Sequence, residues 1–123
     1  LVHMPAHIFI GVGRYYDGGQ ANAAALDSDA SYAENYGVSP SDTYLDYYSS
    51  HNFAHGIYCY MMSGQSEKAV ASASKAFSRK FSRVYLLLFT LVRFGKWQRI
   101  LELGSGLGDS MSKAGGVWDF AKS

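Results

Sequence analysis

The sequence predicts an all-α fold, a solenoid (α-α superhelix) of antiparallel helix hairpins stacked side by side. Three observations carry this. Three segments share one layout, an apolar stretch, a glycine turn and a second apolar stretch, with turns at Gly13-Arg14-Tyr15, Gly64-Gln65-Ser66 and Gly95-Lys96-Trp97. Around each turn the apolar residues recur at three- and four-residue spacing, the period of a buried helix face. Alanines crowd the stretches after the first two turns, which lets helices approach closely. A single hairpin cannot bury its own apolar face, so stacking must supply the core. The 123 residues are expected to form one helical repeat domain.

The first repeat is expected at about residues 3–33. Pro5 suits the first turn of a helix, where its missing N–H leaves nothing unpaired. Ile8, Phe9 and Val12 give a buried stripe, and Gly13 ends the helix by taking positive φ. Ala21, Ala24, Ala25 and Leu26 then form the inner face of the second helix. About residues 34–49 form an insert. It holds GVSPSD, a turn or helix-start signal, followed by TYLDYYSS.

The second repeat, about 50–80, places Phe53, Ile57 and Tyr60 on one stripe, turns at Gly64, and returns through Ala69, Val70, Ala73, Ala76 and Phe77. The third, about 81–103, runs through Val84, Leu87, Leu88 and Leu91, turns at Gly95, and packs back with Trp97, Ile100 and Leu101. Gly104 to Gly116 is expected as a loop, and about 117–123 as the opening of a further, truncated helix.

The layout resembles the tetratricopeptide repeat (TPR) consensus, in which a glycine turn precedes an aromatic residue and small residues recur in the second helix. The residues that match are Gly13, Tyr15, Ala25, Leu26 and Asp29, then Gly64, Ala69, Ala76 and Phe77, then Gly95 and Trp97. LVHMPAHIF and YLDYYSSHN also look like a bacterial TPR-protein group with HMPxHI and YxxHN motifs. Two departures stand out. The turn glycines are 51 and 31 residues apart, against about 34 in the family. Gly18 stands where the family prefers alanine. The resemblance implies a fragment of a longer protein that binds or scaffolds a protein or peptide in a concave groove and performs no chemistry by itself. Carried over position by position, it assigns the groove to His3, His7, His51, Tyr58, Tyr85, Phe89 and Arg93, with His55 one position off that set. It also implies homo-oligomers through exposed solenoid ends.

Composition narrows the partners. A net charge of +1 argues against a dedicated nucleic-acid or membrane surface. No run reaches the roughly 18–20 apolar residues that span a bilayer. One cysteine, Cys59, excludes a disulfide framework within the chain and fits a reducing, cytoplasmic compartment. Ten tyrosines, seven of them between Tyr32 and Tyr60, offer contact area at low entropy cost. That stretch holds no lysine or arginine, so stacking on single-stranded nucleic acid is not expected. Lys75, Arg79, Lys80 and Arg83 fit a solvated helix end, where cations are favoured.

All four histidines fall in two pairs at i, i+4: His3 with His7, and His51 with His55. That spacing puts each pair on one helix face, and both pairs are expected to begin the first helix of a repeat. Imidazole suits zinc, copper or nickel. A metal-binding protein or metal-dependent enzyme using these four residues is therefore an alternative to the scaffold. Against it, no HExxH, CxxC or acidic residue accompanies either pair, and no general base is evident. The bland alternative is polar lining or capping. Cys59 and His55 are also spaced for a nucleophile pair, but Cys59 is expected to be a buried small hydrophobe. RILELGSGLGDS resembles the first motif of class I S-adenosylmethionine-dependent methyltransferases, a further alternative as a truncated enzyme. Such a motif needs a strand before it, a helix after it and more strands beyond, and FGKWQRIL already serves as the turn and second helix of a repeat. No cofactor is expected.

Overall fold

A computed structural model of the chain describes residues 2–39, 42–79 and 83–107. Six helices account for most of them: α1 (Met4–Gly11), α2 (Tyr15–Tyr36), α3 (Thr43–Met62), α4 (Ser66–Arg79), α5 (Val84–Arg93) and α6 (Trp97–Leu107). Among the described residues there is no strand, so the chain is all-α. Two compact units divide it, Leu1–Ser72 and Ala73–Ser123.

Local chemistry sets the helix ends. Pro5 lies in the first turn of α1. Gly13, Gly64 and Gly95 take φ of 76°, 72° and 62°, the left-handed region that stops a helix without a Cβ clash. Gly37 closes α2 in the same way, at φ 62°. Asp42 caps α3 by accepting from the Tyr44 N–H at 3.0 Å, a contact type whose loss costs about 1 kcal/mol.

In the first unit, α2 packs against both α1 and α3. Its inner stripe is small and polar: Gly18, Gly19, Asn22 and Ala25. The facing stripe of α3 runs from Leu45 through Ser49, Asn52, Phe53, Gly56, Ile57 and Cys59 to Tyr60. The glycines exist for close approach. A Cβ on Gly18 would stand 2.8 Å from the Cys59 sulfur, and one on Gly19 would stand 2.6 Å from the Tyr60 ring. This accounts for glycine at position 18. The Tyr60 hydroxyl donates to the Gly19 carbonyl at 3.2 Å, while at the other end the Asn52 amide donates to the Asp29 carboxylate at 3.0 Å. Phe53 and Ile57 are almost wholly buried, worth about 1.5–3 kcal/mol each.

The second unit is oilier. Val84, Leu87, Leu88 and Leu91 of α5 are buried, as are Ala73 and Ala76 of α4 and Ile100 of α6. Helix α5 packs on α6. The Arg99 guanidinium donates to the Ser74 hydroxyl at 3.2 Å.

Several sequence expectations change. Ile8 and Val12 are 69% and 65% exposed, and Ala6 is the buried residue of α1. Helix α1 is apolar on every side, so spacing alone could not select its inner face. Ala24, Trp97 and Leu101 are exposed as well. The stretch read as an insert lengthens its neighbours: α2 continues to Tyr36 and α3 starts at Thr43. Gly104 to Leu107 belong to α6, so the expected loop does not start at Gly104, and the strand-like run before the glycine motif is helical. The remainder of that loop and the helix expected at about 117–123 lie outside the described residues.

Candidate metal centre

Both histidine pairs belong to the first unit, and the fold brings them together. His3 is the N-cap residue of α1 and His7 sits one turn on. His51 and His55 lie in the middle of α3, about two turns after its start at Thr43. This corrects the expectation that both pairs open a helix. The His3 ring centroid is 4.6 Å from that of His7, 4.6 Å from His51 and 5.3 Å from His55. His7 is 5.6 Å from His51 and 5.0 Å from His55, and the His51–His55 separation is 4.1 Å. One ring nitrogen each from His3, His7 and His51 fall within 4.8 Å of one another.

Hydrogen bonds fix which nitrogens are free. The Asn22 amide nitrogen donates to the Gly18 carbonyl at 2.8 Å, which orients that side chain. Its Oδ1 therefore accepts from His3 Nδ1 at 2.8 Å. That leaves the His3 Nε2 lone pair facing His7 Nε2 at 2.8 Å, so His7 supplies the shared proton. The His55 Nδ1–H donates to the His51 carbonyl at 3.0 Å, which frees its Nε2. Carbonyl partners of this kind hold metal-binding imidazoles in one tautomer and orientation.

Electrostatics favour the neutral form of His3 and His51. Burial lowers the pKa of His3 below its ordinary 6.5; the bond to Asn22 opposes this, and His7 and His55 add to it. Burial likewise lowers His51, helped by His55, His3 and His7. Neutral imidazole is the form that ligates metal. His7 is exposed while His3, His51 and His55 are half-buried, so solvent ions reach the site.

Asn22 and Asn52 were not picked out from sequence. Asn22 was detectable, since it is a polar residue at helical spacing among the small residues of α2. It is fully buried, and a Cβ on Gly56 would come within 3.2 Å of it, so glycine there gives it room. The buried Asn52 Oδ1 has no hydrogen-bond partner among the described residues, a loss of about 1–3 kcal/mol.

The other residues that the TPR resemblance would assign to a groove are on the surface. Tyr58 is exposed in the first unit, 5.9 Å from the Tyr15 ring. Tyr85, Phe89 and Arg93 are exposed along one face of α5 in the second. His55, left just outside the groove by sequence, touches the other three histidine rings. Cys59 is buried, and burial pushes its thiol pKa up, away from nucleophilic use. No helix among the described residues is long and apolar enough to cross a membrane. Comparison with protein families, with curated proteins and with solved structures found no match, so the site's role rests on its own geometry.

Proposed function

We propose that the chain is a non-catalytic, metal-binding helical module. Its ligands are His3, His7 and His51, with His55 beside them to complete the shell. The convergence of four imidazoles from α1 and α3 carries this reading. Ligand nitrogens about 2.0–2.1 Å from a tetrahedral zinc lie roughly 3.3 Å apart, within reach of small rotations from the present spacing. An all-imidazole donor set favours zinc, nickel or copper(II) over magnesium or calcium, which need oxygen ligands. The ion replaces the proton between His3 and His7 and ties α1 to α3. Calorimetric titration of zinc into untagged protein should give one ion per chain. His51→Ala should abolish binding, and Asn22→Ala should weaken it about 10–100-fold by releasing His3. A wild-type chain that takes up no stoichiometric metal contradicts the proposal.

A second reading, the TPR-like scaffold, is favoured by the exposed row Tyr85, Phe89 and Arg93 at i, i+4, i+8 on α5. The left-handed turn glycines and the opposed end contacts of α2 and α3 support antiparallel hairpins of that kind. Peptides selected from a displayed library on the wild type should then lose binding to a Tyr85→Ala, Phe89→Ala variant. Unchanged binding removes the groove from consideration.

A further inference from the structure

Helix α1 has little apolar contact to hold it in place. It is eight residues long, and isolated helices shorter than about 12–15 residues are marginal in water. It rests on α2, yet Ala6 is its one buried residue, and Met4, Ile8 and the following Val12 are exposed. The turn that joins it to α2 is open, since a Cβ at Gly11 or Gly13 would meet nothing within 4 Å.

Beneath α1 lies the one thiol of the sequence, Cys59. The position of a Cβ on Gly18 stands 2.8 Å from the Cys59 sulfur, 3.6 Å from Phe9 Cβ and 3.7 Å from Ile10 Cγ1. Helix α1 and the thiol therefore meet across Gly18, with no side chain between them. Cys59 is wholly buried, and Phe9 and Ile10 are part of its cover. Polar ties of α1 to the unit converge on the histidines. His3 bonds Asn22 at 2.8 Å, and the His3 and His7 rings stand against His51 and His55 of α3.

We propose that α1 is a metal-latched lid over Cys59. An ion shared by the histidines of α1 and α3 locks the lid down, and loss of the ion lets α1 swing about the Gly13 turn and bare the thiol. The lid rests on the metal-centre reading, because without an ion there is no latch. An ion that binds the docked arrangement and not the released one shifts the balance by mass action, about a hundredfold at a hundred times its dissociation constant. The α2–α3 pair has contacts of its own, such as the Tyr60 hydroxyl on the Gly19 carbonyl, so it stays folded when α1 leaves.

The test is the rate at which the whole untagged chain reacts with a disulfide reagent such as 5,5′-dithiobis(2-nitrobenzoate), with zinc uptake measured by calorimetry on the same preparation. Zinc should slow the labelling of Cys59 by about 10–100-fold. It should have no such effect on His51→Ala, which lacks the α3 end of the latch. Phe9→Ala removes part of the cover and no ligand, so it should speed labelling of the metal-free chain several-fold and leave zinc uptake intact. In low urea the metal-free rate should change little, as for a local opening that exposes little surface. No zinc uptake overturns the metal centre and the lid together. Zinc uptake with the labelling of Cys59 unchanged overturns the lid alone. So does equal protection of His51→Ala, since zinc would then act on the thiol directly. A metal-free rate that climbs with urea as steeply as global unfolding does so too, because the thiol would then be reached only in the unfolded chain.

Discussion

The two compact units solve the same packing problem with different chemistry. The second fills its interior with branched aliphatic residues: Val84, Leu87, Leu88, Leu91 and Ile100. The first puts Gly18, Gly19, Asn22, Ser49, Asn52 and Gly56 where larger apolar residues would otherwise stand. Aliphatic cores tolerate exchange among residues of similar volume. An interface of glycines and hydrogen-bonded amides does not, because each glycine admits one neighbour and each amide needs one partner. The unit with the more demanding interior is also the one that holds the histidines, with Asn22 serving both the helix contact and His3.

The sharpest way to break the contrast is in the oily unit. Leu91→Ala removes a fully buried side chain from α5 and should destabilise by about 2–5 kcal/mol in urea unfolding. A loss below 1 kcal/mol would mean that the second unit has little core of its own. In the first unit the opposite change is damaging. Gly19→Ala drives a methyl group into the Tyr60 ring. Overpacking of about 1–3 kcal/mol, less about 1 kcal/mol gained in helix propensity, leaves a net loss of about 1 kcal/mol. In a Tyr60→Leu background the same change should become neutral or stabilising. A loss of equal size in both backgrounds would show that close approach is not what glycine provides there.

The smallest effect is that of pH. His3 and His51 have pKa values below 6.5 in the folded metal-free chain. The unfolded chain therefore binds more protons as pH falls through about 6.5. The stability these groups confer is present above that pH and declines below it. The urea midpoint of metal-free protein should drop between about pH 7 and 5, and His3→Gln with His51→Gln should flatten that drop. A midpoint that rises on acidification would contradict the lowered pKa values of His3 and His51.

How much was legible follows the same division. Leu87, Leu88 and Leu91 announce a helix face by spacing alone, and the turns at Gly13, Gly64 and Gly95 need only glycine's access to positive φ. Helix α1 was misread because Ile8, Phe9, Ile10 and Val12 surround it with apolar residues, so burial there depends on which neighbour arrives. The i, i+4 histidine pairs were visible one helix at a time. That they meet depends on α3 starting at Thr43 and on α2 being slim enough at Gly18 and Gly19 to bring its neighbours close, and neither is a local property of the sequence. Asn22 stands out in α2 as a polar residue among small ones, but its bond to His3 does not, because His3 lies at the start of another helix.

On the proposed reading, the four histidines form one metal centre. X-ray absorption on zinc-loaded, untagged protein tests it most directly. A shell of three or four imidazole nitrogens at about 2.0–2.1 Å is expected, with fewer imidazoles after His3→Ala. An all-oxygen shell, or zinc that washes away to background in dialysis, would contradict it.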